Sequence, residues 1–156
     1  MATLKAGDLA PDFALLADDG ATVQLSALRG KPVILYFYPR DDTPGCTTEA
    51  CDFRDRHAAV LGQGAVVLGV SPDAQKAHVR FKTKYGLPFT LLSDPQKTTL
   101  AAYGALGKKL MYGKEVEGVI RSTYLIDKAG KIAAAWPKVS VKGHAEAVLA
   151  ELAKLG

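Results

Sequence analysis

The run Val33-Ile34-Leu35-Tyr36-Phe37-Tyr38 constrains this chain more than any other stretch. It is apolar on both alternating sets of positions, β-branched and aromatic, and closed off by Lys31-Pro32 on one side and Pro39 on the other. A run of that length is too short for a typical helix and predicts a strand buried in the middle of a sheet. The next comparable run, Ala65-Val66-Val67-Leu68-Gly69-Val70-Ser71, reads as a second strand of parallel type. Between them a helical segment runs to residue 62 or so and is closed by Gly62 and Gly64, which predicts a right-handed βαβ unit.

Both cysteines of the chain lie at the start of that helix, in Thr43-Pro44-Gly45-Cys46-Thr47-Thr48-Glu49-Ala50-Cys51. Thr43 suits the N-cap, Pro44 suits the first helical position, where no amide donor is missed, and Cys46 then falls in the first turn. A free thiol has a pKa near ~8.5, and the unpaired amides of a helix start, with a cation nearby, lower it to roughly 3.5 to 7.5. A lone cysteine is more commonly a small apolar core residue. Here the cap, the proline and the second cysteine coincide and favour a reactive thiolate.

At about 100° per residue, Ala50, Phe53, His57, Val60 and Leu61 fall on one stripe with Cys46, which predicts the face packed on the sheet. Cys51 turns outward beside Asp55. Residues five apart in a helix have α-carbons about 8.6 Å apart, beyond the roughly 7 Å limit for a disulfide. The two sulfurs can therefore join only if the first turns of the helix unwind. Glu49, in the same turns, is an acid suited to the positive end of the helix dipole.

The rest of the chain supplies a frame for this unit. Phe13 to Leu16, Asp18-Asp19-Gly20 and Thr22 to Leu25 predict an N-terminal hairpin, after which Ser26 suits the cap of a short helical turn. An amphipathic helix over about 74–85 carries Lys76, Arg80 and Lys84 on one face and His78, Phe81 and Tyr85 on the other. Phe89 to Leu92 is a short strand, and Gln96 to Tyr103 a helical turn or two. Residues 105–114 read as a Gly/Lys-rich loop whose Leu110, Met111 and Tyr112 pack down or line a pocket entrance. Val119 to Ile126, the turn Lys128-Ala129-Gly130 and Ile132 to Trp136 predict an antiparallel hairpin, and residues 143–155 a last helix. Together these describe an α/β fold with a mixed central sheet flanked by helices and an N-terminal β-hairpin extension. Cys46 then sits at the carboxyl end of a central strand, the usual ligand crevice of open α/β sheets.

Composition bounds the function. The 156 residues suit a single domain spanning 1–156, and the 48% apolar and 23% charged content is that of an ordinary soluble protein. The first six residues lack a signal pattern, and no run approaches the ~18 apolar residues of a membrane span, so a cytoplasmic location is expected. In that compartment thiols are kept reduced, and two cysteines more readily cycle than form a permanent staple. Charge is uneven: residues 1–75 hold 6 basic and 10 acidic side chains, and residues 76–156 hold 14 and 6. The basic residues of the 74–85 helix fit a solvated surface over a core contact, so no nucleic-acid partner is expected. Cys46-x4-Cys51-x5-His57 has the wrong spacing for tetrahedral zinc, and the Cys-x-x-Cys of a thiol-disulfide oxidoreductase is absent.

The pattern Pro39-x-x-x-Thr43-x-x-Cys46 resembles the active-site motif of the peroxiredoxins. Thr43-Pro44-Gly45-Cys46 with Cys51 five residues on resembles their Q-type group, also called bacterioferritin comigratory proteins. The likeness runs from Ala10-Pro11-Asp12-Phe13 through Leu92-Ser93-Asp94 to Gly118-Val119-Ile120-Arg121-Ser122-Thr123-Tyr124-Leu125-Ile126-Asp127. It implies a thioredoxin-like fold and a thiol peroxidase acting on hydrogen peroxide and organic hydroperoxides. By that resemblance Cys46 is the peroxidatic nucleophile and Cys51 the resolving cysteine, giving a Cys46–Cys51 disulfide reduced by thioredoxin or a similar dithiol. Thr43 and Arg121 would bind the peroxide, Pro39 shield the pocket and Glu49 orient an arginine. No cofactor or metal is required, and a monomer, at most a weak dimer, is expected. The other class consistent with these residues is a non-enzymatic peroxide-sensing module using the same disulfide, which turnover would separate from an enzyme.

Overall fold

The computed structural model describes residues 4–155, with Lys109 and Met111 described by their backbone alone. The strand predicted from the apolar run is β3 (Val33–Phe37), buried at every position. The N-terminal hairpin is β1 (Ala14–Ala17) and β2 (Thr22–Gln24), followed by a 3₁₀ turn, Leu25–Leu28. Ser26 lies inside that turn and does not cap it; its N–H donates to Asp12 Oδ1 at 2.9 Å. After β3 come α1 (Pro44–Asp55), α2 (His57–Gly62) and β4 (Val66–Ser71). Next are α3 (Gln75–Tyr85), β5 (Thr90–Ser93) and the short α4 (Thr98–Ala102). The chain closes with β6 (Leu106–Met111), β7 (Lys114–Val119), β8 (Ser122–Ile126), β9 (Ile132–Trp136) and α5 (His144–Ala153).

Seven strands form one mixed sheet in the order β2-β1-β5-β4-β3-β8-β9. β3, β4 and β5 run parallel, and β8 joins β3 antiparallel, pairing Phe37 with Ser122. The alternation along β3 divides the core. Val33, Leu35 and Phe37 pack with Leu68, Val70, Tyr103 and Tyr124 on one face. Ile34, Tyr36 and Tyr38 pack with Cys46, Phe53, Phe81 and Val148 on the other, under α1, α3 and α5. Side chains two apart along a strand share a face, so a single apolar run feeds both halves of the core.

Three further expectations change. The helix after β3 is broken at Arg56 (φ −111, ψ 8), whose guanidinium donates to Asp52 O at 3.0 Å and to Glu146 Oε1 at 2.7 Å. The break shifts the helical phase, so Val60 is buried but Leu61 is 57% exposed. The expected 105–114 loop is instead most of a second, two-stranded sheet, β6 with β7. Its tight turn places Tyr112 and Gly113 both at positive φ (54° and 77°), the geometry of a two-residue hairpin with primed twist. Leu110 on β6 and Tyr112 in the turn face outward, 79% and 100% exposed; the packing expected of Met111 falls outside the described side chains. Finally, Val119 ends β7 and β8 begins at Ser122, so Ile120 and Arg121 form a junction between the two sheets. Among the described residues no helix is long and apolar enough to cross a membrane.

Candidate active site

The chain leaves β3 at Tyr38, passes Pro39, Arg40, Asp41 and Asp42, and enters α1 with Thr43 at the N-cap position and Pro44 as the first helical residue. Asp42 turns the corner at φ 55°, a left-handed conformation that Asp tolerates better than most side chains. The first bond of the helix runs from Thr47 N–H to Thr43 C=O at 2.8 Å. The N–H groups of Gly45 and Cys46 therefore stand ahead of the ladder as donors without an intrahelical acceptor. Cys46 lies in this first turn, 1% exposed.

Thr43 occupies the predicted position without the predicted bond. Its hydroxyl donates to Arg40 O at 2.9 Å and makes no capping contact. The side chain closes the loop behind it, and the amides a capping hydroxyl would take stay available. Pro39 is half-buried at the start of the same loop.

Arg121, 75 residues from Cys46 in sequence, arrives through the sheet. It precedes β8 by one residue, one step beyond the Phe37–Ser122 pair, and so lies across from Tyr38 where the chain departs for α1. Val139 N–H holds its carbonyl at 2.8 Å. The guanidinium spans two acceptors: Nη2 lies 3.4 Å from Cys46 Sγ, and Nη1 donates to Glu49 Oε1 at 2.7 Å. Burial pulls the Arg121 cation down, but the negative charge of Glu49 and of Cys46 outweighs it and holds the group above its ordinary value.

Glu49 is not a solvated acid at a helix start. It is 1% exposed, and its second oxygen, Oε2, has no partner among the described residues. Burial pushes its carboxyl up to about 7, against the pull of Arg121. Gly45 is a site residue that sequence reasoning passed over. A Cβ there would lie 3.1 Å from Arg121 Nη2, so the missing side chain is what admits the guanidinium beside the sulfur.

Cys51 is half-buried on the same unbroken helix, and both thiols are free. Burial pushes the Cys51 thiol above its ordinary value; Arg54 pulls it down, while Asp55 and Asp52 push it further up. Also unforeseen is a buried network behind the loop. Tyr38 Oη donates to Asp41 Oδ1 at 2.6 Å, and His78 Nδ1 lies 2.6 Å from Asp41 Oδ2. The helical periodicity correctly turned His78 inward, but its partner lies 37 residues away and no local signal marks it.

This geometry can now be set beside known proteins. The AhpC/TSA family model matches residues 6–135. The chain belongs to the AhpC/TSA family. Among its relatives, peroxiredoxin Bcp of Bacillus subtilis is 49% identical over 150 residues, covering 96% of each chain. A solved structure of Xanthomonas campestris peroxiredoxin Q is 42% identical with a TM-score of 0.90, covering 96% of this chain and 97% of that one. A structure of Xanthomonas campestris bacterioferritin comigratory protein, described for alkyl peroxide reduction, is 41% identical with the same TM-score, covering 96% and 98%. These AhpC/TSA structures carry the thioredoxin-like fold, so the architecture expected from the sequence is the one this chain adopts.

Proposed function

We propose that Cys46 is the sulfur on which this chain reduces hydroperoxides. At this level of likeness to named peroxiredoxins the chain is a thiol-dependent peroxidase. The observation that carries it is the Arg121 guanidinium, 3.4 Å from Cys46 Sγ and steadied from behind by the buried Glu49 side chain. The Cys46 thiolate attacks one oxygen of the hydroperoxide, forming an S–O bond as the O–O bond breaks, and becomes a sulfenic acid. The departing oxygen takes up a proton and leaves as water or an alcohol. Negative charge grows on that oxygen, and the Arg121 guanidinium with the Gly45 and Cys46 amides are donors of the kind that stabilise it. Thr43, whose hydroxyl oxygen keeps a free lone pair, accepts a hydrogen bond from a protonated peroxide, and Pro39 limits water at the loop.

Cys51 then displaces hydroxide from the sulfenic sulfur, water is released, and a Cys46–Cys51 disulfide forms. Helix geometry requires the start of α1 to unwind first, because positions five apart lie about 8.6 Å from one another. Exchange with thioredoxin or a similar dithiol returns both thiols. Both hydrogen peroxide and organic hydroperoxides fit this scheme, as do a cytoplasmic setting and a monomer or weak dimer. The test is peroxide consumption coupled to thioredoxin oxidation, together with mass spectrometry after one equivalent of peroxide. Cys46→Ser is expected to abolish consumption, and the wild-type product to carry a single link between residues 46 and 51. Consumption that survives Cys46→Ser rejects the assignment.

A further inference from the structure

We propose that the buried Tyr38–Asp41–His78 network is a positioning device for the peroxide step, holding the loop that delivers Thr43 and the start of α1 to Arg121. The proposal rests on Cys46 being the nucleophile. None of the three residues is a hydrogen-bond partner of the Cys46 sulfur, which is in contact with Arg121. They act on it through the backbone of residues 38–43.

The network's hydrogens can be counted from its geometry. His78 Nε2 lies 3.0 Å from Leu92 O, which only accepts, so that nitrogen carries a hydrogen. Nδ1 faces Asp41 Oδ2 at 2.6 Å, with one hydrogen between them, and Asp41 Oδ1 accepts the Tyr38 hydroxyl at 2.6 Å. The Asp41 N–H donates to Asp73 Oδ2 at 2.8 Å, and the same oxygen accepts Ser71 Oγ–H at 2.7 Å. Asp41 is thereby held by its backbone and by both carboxylate oxygens, from the ends of β3 and β4 and from α3.

His78 is 0% exposed, Tyr38 1% and Asp41 9%. Taking such polar groups out of water is costly, and apolar side chains of the same volume are often no less stabilising. The network's return therefore lies in the path it imposes on the loop. The neighbouring residue, Asp42, also reaches α3, through Lys84 at 2.8 Å and Tyr85 at 2.8 Å, but those contacts are solvent-exposed and worth little. The buried pair decides where the loop goes, and with it where Thr43 and the free amides of α1 stand.

The two chemical steps make opposite demands on this loop. Reaction with peroxide needs Thr43, the helix start and Arg121 converged; disulfide formation needs the helix start to leave. A clamp on Asp41 favours the first and opposes the second. Loosening it therefore slows one step and speeds the other, which general loss of stability would not do.

A matched pair of substitutions at His78 tests this. Asn places an amide where Nδ1 stands and keeps the bond to Asp41; Gln places one where Nε2 stands, keeps Leu92 O and loses Asp41. Stopped-flow rates are measured for Cys46 oxidation by hydrogen peroxide and for Cys46–Cys51 disulfide formation, with iodoacetamide alkylation of Cys46 as the control. His78→Gln is expected to slow the peroxide step about tenfold, the scale of a small misplacement of reacting groups. It should also quicken disulfide formation and leave alkylation no slower. His78→Asn should stay close to wild type on all three. Equal behaviour of the two variants, or both steps slowing together in His78→Gln, overturns the proposal. If His78→Gln shows no cooperative melting, Tyr38→Phe, which removes one hydroxyl, carries the same expected split and the same refutation. Failure of the pair to diverge removes only the positioning role, whereas peroxide consumption surviving Cys46→Ser removes the reading of the site itself.

Discussion

Cys46 and Cys51 sit on one helix, five residues apart, in surroundings that have almost nothing in common. Cys46 is sealed from water in the first turn, next to amides with no helical acceptor and a guanidinium that a buried glutamate holds in place. Cys51 is half-buried in the body of the helix, where its amide is already part of the ladder and burial, then Asp55 and Asp52, push its thiol up. Identical side chains are given different chemistry by position along a helix and by what the sheet brings to that position. On the proposed reading the first attacks the peroxide, and the second reaches it only when the helix opens.

Four experiments test that contrast. Cys51→Ser should leave the first equivalent of peroxide consumed and eliminate thioredoxin-linked turnover, with sulfenic acid accumulating and overoxidising, as followed by intact-protein mass spectrometry. Unimpaired turnover in that variant would erase the division of labour between the two sulfurs. Arg121→Met removes the cation only at the Cys46 end. The peroxide step should slow by about 10²-fold, the usual loss when a donor to a developing oxyanion is deleted, while Cys51 alkylation rates in the same sample stay unchanged. Gly45→Ala should cost about tenfold or less in the peroxide step, because the new Cβ meets Arg121 Nη2 at 3.1 Å and displaces it slightly. Its melting temperature should not fall, since Ala is the better helix former.

The smallest effect concerns charge around Cys46. Glu49, pushed up to about 7 by burial, keeps in the folded state a proton that the unfolded chain releases from its ordinary 4.5 upward. Its contribution to stability is complete below that value and lost as pH rises to about 7. His144, which contacts Thr123 Oγ1 at 2.8 Å, is pushed down to about 4 by burial and then by Arg121. It favours the neutral ring, so its contribution is complete above its ordinary 6.5 and lost as pH falls toward 4. Over their common window the two oppose one another and the wild-type stability changes little on their account. Glu49→Gln should uncover a stability that climbs with pH, and His144→Asn one that declines with pH. Urea unfolding at stepped pH checks both slopes, and parallel profiles in the two variants would contradict the assignment.

Much of this was legible in the chain because it depends on near neighbours. The continuous apolar run at 33–37, proline at the first helical position, the inward face of α3 and the distance between the two sulfurs all follow from rules that act over a few residues. The phase error at Leu61 shows the limit of such rules. One residue, Arg56, leaves the helix to bond Glu146 on α5, and every angle counted past it is displaced. The β6–β7 hairpin escaped notice because its turn is Tyr112-Gly113 rather than a familiar Asn-Gly or Asp-Gly pair, and its strands lack apolar alternation.

By itself the amino-acid sequence determined the βαβ unit, a cysteine at a helix start, and a second cysteine that an intact helix keeps out of reach. Only the tertiary structure decided what surrounds that first sulfur: Arg121 delivered by the register of β8 on β3, Glu49 buried beneath it, and Asp41 locked to His78 behind the loop. The reason is range. Propensity and periodicity are properties of adjacent residues, whereas the field at a buried atom is set by whichever distant charges the packed sheet and helices place within a few ångströms of it.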